Sequence, residues 1–179
     1  MATAKIKKKF FDIKIPIIRQ ETQLQAYEEK ELAGRMIRYD MTRNLRGKSL
    51  ILQLKTELQG DKVVALPQKI QLLPYFLRRM LRKGTNYVED SFVAECKDAE
   101  IRIKPFLITR RKVSRAVRKA LRNKAKEELI NYLKNKDVEK VFEDILDNHL
   151  QKNLSLVLKK IYPLSLCEIR IFEIKKRRA

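Results

Sequence analysis

The chain has 179 residues, with 42 lysines and arginines against 22 aspartates and glutamates, a formal net charge of +20 and a pI near 10.1. Such a length predicts one domain burying about 70% of its unfolded surface, and an apolar share of 44% excludes a disordered basic tail. No apolar run reaches the ~20 residues of a membrane helix, so the charge points to a polyanion, nucleic acid before an anionic membrane.

The first nine residues carry Lys5, Lys7, Lys8 and Lys9 and predict a basic arm. FFDIKIPII, residues 10–18, predicts a strand with Pro16 at an edge or end. Residues 19–32 are polar and acidic, which predicts a loop or a short helix. A second strand is expected over 34–41, Arg35 included, and a turn over 44–48 carries Arg46. SLILQLKTEL, residues 49–58, alternates Leu50, Leu52 and Leu54 with Gln53, Lys55 and Glu57, the period of a half-buried strand. Gly60 and Asp61 separate it from a strand over 63–72, a hairpin arrangement.

Pro74 suits the first turn of a helix and Gly84 its C-terminal cap. Between them Phe76, Leu77, Met80 and Leu81 define an apolar face, and Arg78, Arg79, Arg82 and Lys83 a basic one. Basic residues at a helix C-terminus complement its dipole, but four without a local acid exceed that need. Strands over 91–97 and 100–109 follow, joined at Asp98-Ala99, and the second passes Pro105 on its way to the most basic stretch of the chain.

That stretch is RRKVSRAVRKALRNKAK, residues 110–126, with nine basic residues and no acidic one. Ser114 is a suitable N-cap. Val117, Ala120, Leu121, Ala125 and Leu129 recur at helical spacing as an apolar stripe. Arg115, Arg118, Lys119, Arg122 and Lys126 make a basic stripe beside it, preceded by Arg110, Arg111 and Lys112. Like charges at these separations repel by a few tenths of a kcal/mol per pair. A solvated face normally mixes signs; this one does not until Glu127, which favours a bound polyanion.

Residues 137–147 and 150–161 predict two further amphipathic helices, the first rich in acid (Asp137, Glu139, Glu143, Asp144, Asp147) and the second ended by Pro163. A last strand over 166–174 precedes a basic tail with Lys176, Arg177 and Arg178. Strands and helices do not alternate regularly. The fold class is therefore α+β: a curved, largely antiparallel sheet of about six to seven strands packed with three to four amphipathic helices. One domain over 10–174 is expected between an arm at 1–9 and a tail at 175–179.

The chain offers few parts of a catalytic constellation. His149, the single histidine, has no partner motif and suits a capping or surface position. Gly47-Lys48-Ser49 resembles the end of a phosphate-binding loop, but Thr42 stands where the upstream glycine is required and a strand follows instead of a helix. Glu89-Asp90 and Asp98/Glu100 are solvated turn or strand acids. Cys96 and Cys167 lie apart in strand-like runs, as buried thiols of a reducing cytosol. The phenylalanines (10, 11, 76, 92, 106, 142 and 172) fall in apolar patterns and are expected in the core. The binding mode is thus phosphate contact and shape, without base stacking. No enzyme activity, cofactor or metal is expected.

KKKFFDIKIP, LAGRMIRYDMT, FLITRRKVSRAVRKALR and KKIYPLSLCEIRIFEI, in this order, resemble the archaeal and eukaryotic eS-one (S-three-a) family of small-subunit ribosomal proteins. The resemblance spans nearly the whole chain and is most specific at Gly34-Arg35, residues 106–122 and residues 160–164. Arg38 stands where the family has an acid. The short end after the last strand looks archaeal-type. The resemblance implies a cytoplasmic, non-enzymatic constituent of the small subunit, located on its platform. Its partners would be small-subunit (16S-type) rRNA, neighbouring platform proteins and messenger RNA near the exit, with no membrane and no homo-oligomer. The alternative is a nucleic-acid-binding module of regulatory or chromatin type outside the ribosome, and a third reading, an RNA-modifying enzyme, would need a site around His149.

Overall fold

The alternation in FFDIKI builds the first strand, β1 (Lys9–Ile15), with Ile13 and Ile15 buried and Asp12 and Lys14 exposed. The computed structural model describes residues 7–45, 47–60 and 62–177. Its contacts divide the chain into two units, Met1–Tyr39 with Gln53–Gln68, and Asp40–Leu52 with Lys69–Ala179. Among the described residues the architecture is α+β, with four α-helices and one mixed sheet of nine strands. All seven strands expected from sequence are present, and two more, Gln20–Ala26 and Tyr87–Glu89, join them.

In the first unit, a turn with Arg19 at φ 54° folds β1 back into β2 (Gln20–Ala26), antiparallel from Ile15↔Gln20 to Lys9↔Ala26. β2 was not expected, because QETQLQA has no apolar alternation. As the outermost strand beside β1 it needs little, and only Ala26 is buried. The acidic run then forms a 3-10 helix over Glu29–Leu32. Gly34, at φ 78°, turns the chain so that its N–H donates to the Thr56 carbonyl at 2.8 Å. β3 (Met36–Asp40) pairs with β4 (Leu50–Gln59), and β5 (Lys62–Leu72) lies parallel to β1 at Ile13↔Val63. Phe10, expected in the core, is 65% exposed: β1 has only just begun there, and the ring points to solvent.

In the second unit, α1 (Pro74–Met80) starts with proline as predicted but stops before Gly84. Leu81 is already extended at φ −74°, ψ 124°, so Arg82 and Lys83 follow the helix instead of completing it. Phe76 and Leu77 are buried, whereas Leu81 is exposed. β6 (Tyr87–Glu89), β7 (Phe92–Glu95) and β8 (Ala99–Thr109) follow, then α2 (Arg115–Lys134), α3 (Val138–Leu146), α4 (His149–Lys159) and β9 (Leu164–Arg177). β8 pairs with β6 and β7 on one side and with β9 on the other, all antiparallel. Pro105 does not end β8; the register shifts there and the strand continues to Thr109. Lys175, Lys176 and Arg177, expected in a tail, extend β9.

The core of this unit lies between the β8–β9 surface and the helices. Phe106, Phe142 and Phe172 are buried, and the last two meet edge to face at 4.8 Å. On α2 the buried stripe is Leu121, Ala125, Leu129 and Leu133; Ala120, expected on it, is exposed. Asp144 of α3 accepts from Tyr132 of α2 and from Lys136, two residues beyond its end, each at 2.6 Å, which ties the two helices together. Cys96 and Cys167 are buried, and burial pushes both thiols up to about 12.

Lys48 has a structural role here. Its ammonium sits 2.6 Å from Glu168 of β9 and also donates to Asn148. Glu168 is buried, and burial pushes its carboxyl above the ordinary range, with Lys48 opposing that only in part. Lys48→Met therefore strands a buried carboxylate and is expected to lower stability by about 3 kcal/mol near neutral pH, with Glu168→Gln costing less. A raised folded-state value means the folded chain prefers protonated Glu168 more than the unfolded chain does. The deficit of Lys48→Met should then shrink as pH falls from about 7 towards 5. Urea titrations of wild type and variant at both pH values check this; a pH-independent deficit would place the loss elsewhere.

Candidate nucleic-acid interface

The basic stretch is positioned by a small hydrogen-bonded clamp. At the end of β8 the Thr109 N–H donates to the Asn86 carbonyl, the Thr109 hydroxyl accepts from the Asn86 N–H at 3.0 Å, and the Asn86 side chain accepts from the Val113 N–H at 2.8 Å. The same hydroxyl lies 2.7 Å from the Arg111 carbonyl. Residues 110–113 are thus held in a defined path from strand to helix, leaving Arg110, Arg111 and Lys112 exposed. Ser114 then caps α2 as predicted, its hydroxyl accepting from the Val117 N–H.

Along α2, Arg115, Lys119, Arg122 and Lys126 are exposed on neighbouring turns. Arg118 is half-buried. It lies seven and eleven residues before Ala125 and Leu129, about two and three turns, so it shares their sector of the helix and is partly covered. Its Nε is enclosed and has no hydrogen-bond partner among the described residues. Lys126 projects over the Phe92 ring at 5.7 Å.

Charge on this helix is sorted by face. Among the described residues, no carboxylate lies within 4.0 Å of Arg110, Arg111, Lys112, Arg115, Arg118, Lys119, Arg122 or Lys126. Lys124, on the opposite side, is paired with Glu127 at 3.4 Å and Glu128 at 3.1 Å. Hydrogen bonds to Glu128 and Glu127 raise its pKa above the ordinary value. The acids of α2 are thus spent on the far side, and the near side keeps its full positive charge.

Two cavities that share Arg122 lie beside the cationic face. One, of about 410 Å³, is lined by Tyr87, Val88, Arg115, Arg118, Lys119, Arg122 and Asn123. The other, of about 420 Å³, shares Arg122 and adds Lys104, Pro105 and Arg170 together with Glu89, Asp90 and Ser91. Glu89 is held by Arg170 through both oxygens at 3.0 and 3.1 Å. Tyr87, Lys104, Asn123 and Arg170 were not singled out by sequence. Tyr87 and Lys104 sit in strands with no charge run, and only the packing of α2 on β6 and β7 brings them to it.

The other expected contact residues lie apart from this groove. Arg78 and Arg79 are exposed on α1, Arg79 leaning on the Phe76 ring at 5.8 Å, and Arg82 and Lys83 are exposed after it. None of the four lines either cavity. Lys176 and Arg177 are exposed in β9, opposite Glu100 and Ala99. In the first unit Lys7, Lys8 and Lys9 are exposed, with Lys8 5.5 Å over the Tyr27 ring. Arg35 is engaged internally, donating to the Gln25 carbonyl at 3.0 Å and pairing with Glu31 at 3.7 Å. Lys5, Arg46 and Arg178 lie outside the described residues. His149 is exposed at the first position of α4.

Comparison with known proteins gives a consistent set of relatives. A curated protein of Nanoarchaeum equitans named small ribosomal subunit protein eS1 is 29% identical over 188 residues, covering 96% of this chain and 90% of that one. Proteins of the same name from Methanothermobacter thermautotrophicus and Pyrobaculum aerophilum are 26% and 27% identical; they cover 90% and 86% of this chain, which in turn covers 87% and 72% of theirs. The model of the Ribosomal S3Ae family matches residues 4–178, which takes in the clamp, the whole of α2 and both long strands. With its basic helix and sheet inside one match of nearly full length, the chain belongs to the Ribosomal S3Ae family.

Proposed function

We propose that this chain is a structural, non-catalytic constituent of the small ribosomal subunit in the cytoplasm, bound to small-subunit rRNA through the phosphates that α2 and residues 110–112 face. The carrying observation is that the cations from Arg110 to Lys126, Lys124 apart, have no counter-ion among the described residues, on a helix whose acids are turned the other way. Such a face is stabilised when another molecule supplies the anions, and release of condensed counterions from RNA drives the association. Relatives named small ribosomal subunit protein support the same reading.

In this reading α2 is the main anchor. Arg78, Arg79, Arg82 and Lys83, the basic residues near both termini, Arg46 and Arg35 are secondary contacts, the last through whatever its internal bonds leave free. A platform position next to other small-subunit proteins, and near the messenger exit, completes the proposal.

Phosphate contact makes binding steeply salt-dependent. Filter binding to small-subunit rRNA fragments is expected to weaken by roughly 10³ to 10⁵ between about 50 and 200 mM salt, as for six to ten phosphate contacts. Charge reversal at the exposed positions Arg115, Lys119 and Arg122, all to Glu, should lower the log–log salt slope by about three. It should also abolish incorporation into small subunits, with the circular dichroism spectrum and melting temperature retained. Sucrose-gradient sedimentation of cell extracts reads incorporation. Normal incorporation of the triple variant would overturn the proposal, and a preference for duplex DNA over structured RNA at matched salt would move it to a non-ribosomal binding module.

A further inference from the structure

Within the cationic face one residue is not a cation. Tyr87 is 55% exposed at the start of β6 and lines the 410 Å³ cavity together with Arg115, Arg118, Lys119 and Arg122. Its ring lies nearly parallel to that of the buried Phe106, 6.0 Å between centroids and 21° between planes. The ladder explains this: Tyr87 pairs with Ile108 and Glu89 with Phe106, so the two rings are diagonal neighbours on adjacent strands. Phe106 supports the tyrosine ring, which stays exposed and lines the cavity.

An exposed aromatic standing alone needs no explanation. This one is ringed by four side chains of one sign, and no carboxylate lines the same cavity. A protein side chain has little to gain there. A nucleotide matches both halves, because its phosphate needs the cations and its base has a flat face to lay on the ring. The volume falls within the range of about 300 to 1,000 Å³ typical of small-ligand sites. The base must be out of its helix, since a paired base in an A-form stem presents no free face.

We infer that the cavity between β6 and the first turns of α2 takes one unstacked nucleotide of RNA, its base on Tyr87 and its phosphate among Arg115, Arg118 and Lys119. This deepens the RNA-binding reading and rests on it. It also departs from the sequence-based expectation that recognition is by phosphate and shape alone: at this position the chain selects for a bulged or single-stranded nucleotide. Asn123, at the rim, offers a donor and an acceptor to the edge of the base.

The test compares two RNA hairpins that differ by one unpaired nucleotide, against wild type, Tyr87→Phe and Tyr87→Leu, by filter binding at fixed salt. Wild type is expected to bind the bulged hairpin about 5- to 150-fold more tightly than the fully paired one, the span for one base–aromatic stack. Tyr87→Phe should keep that preference. Tyr87→Leu, which retains an apolar side chain over Phe106, should lose it while binding the paired hairpin as wild type does. Equal affinity of wild type for the two hairpins, or an undiminished preference in Tyr87→Leu, would overturn the inference and leave the phosphate anchor standing. Failure of wild type to bind either hairpin would sink the RNA-binding reading and the inference with it.

Discussion

Two long strands, β8 and β9, run antiparallel from Ala99↔Arg177 to Thr109↔Leu164, and the second unit is assembled around that ladder. Ile101, Ile103, Phe106, Ile169 and Phe172 of the pair are buried, so removing them from water supplies much of the driving force there, at roughly 25 cal/mol per Å² of apolar surface. Everything that makes the cationic face is hung on one end of this ladder. β6 is paired to β8 over three residues, the Asn86–Thr109 clamp closes on the last residue of β8, and α2 begins six residues later. The helix is therefore aimed by the sheet, and its basic residues point where the ladder sends them.

A second constraint is electrostatic. Like charges one turn apart disfavour the helix that carries them, yet α2 runs for 20 residues. It is held by other features: the neighbouring Leu121–Leu133 stripe is buried, the Ser114 cap satisfies an orphan amide, and the Tyr132–Lys136–Asp144 network fastens its end to α3. In that network burial disfavours the Asp144 charge, but the hydrogen bonds from Lys136 and Tyr132 outweigh it and hold the carboxyl below its ordinary value. The stability of the helix comes from packing and its far end, which frees the near face to remain unbalanced.

Much of this was legible in the sequence because the signals were strong and local. The alternation in SLILQLKTEL, the Ser114 cap, the proline starting α1 and the segregation of sign along 110–126 each follow from neighbours a few residues apart. What escaped depended on distant residues. β2 has no apolar period because an edge strand does not need one, and β6, at three residues, is too short to show any. Tyr87 is unremarkable until α2 is laid beside it. Lys48 looked like a failed phosphate loop, and its actual partner lies 120 residues away in Glu168. Arg118 belongs by spacing to both the basic and the apolar sector, and only packing decides that it is half-buried.

The half-burial of Arg118 sets it apart from its neighbours in one further respect. An exposed lysine or arginine must surrender up to about 2 kcal/mol of rotamer freedom when a phosphate fixes it. Arg118, half-buried with its Nε enclosed, has already lost part of that freedom on folding. In the proposed RNA complex a phosphate at Arg118 would meet a smaller entropic penalty than at Lys119 or Arg122. Cations of equal formal charge on one helix would then differ in what binding costs them.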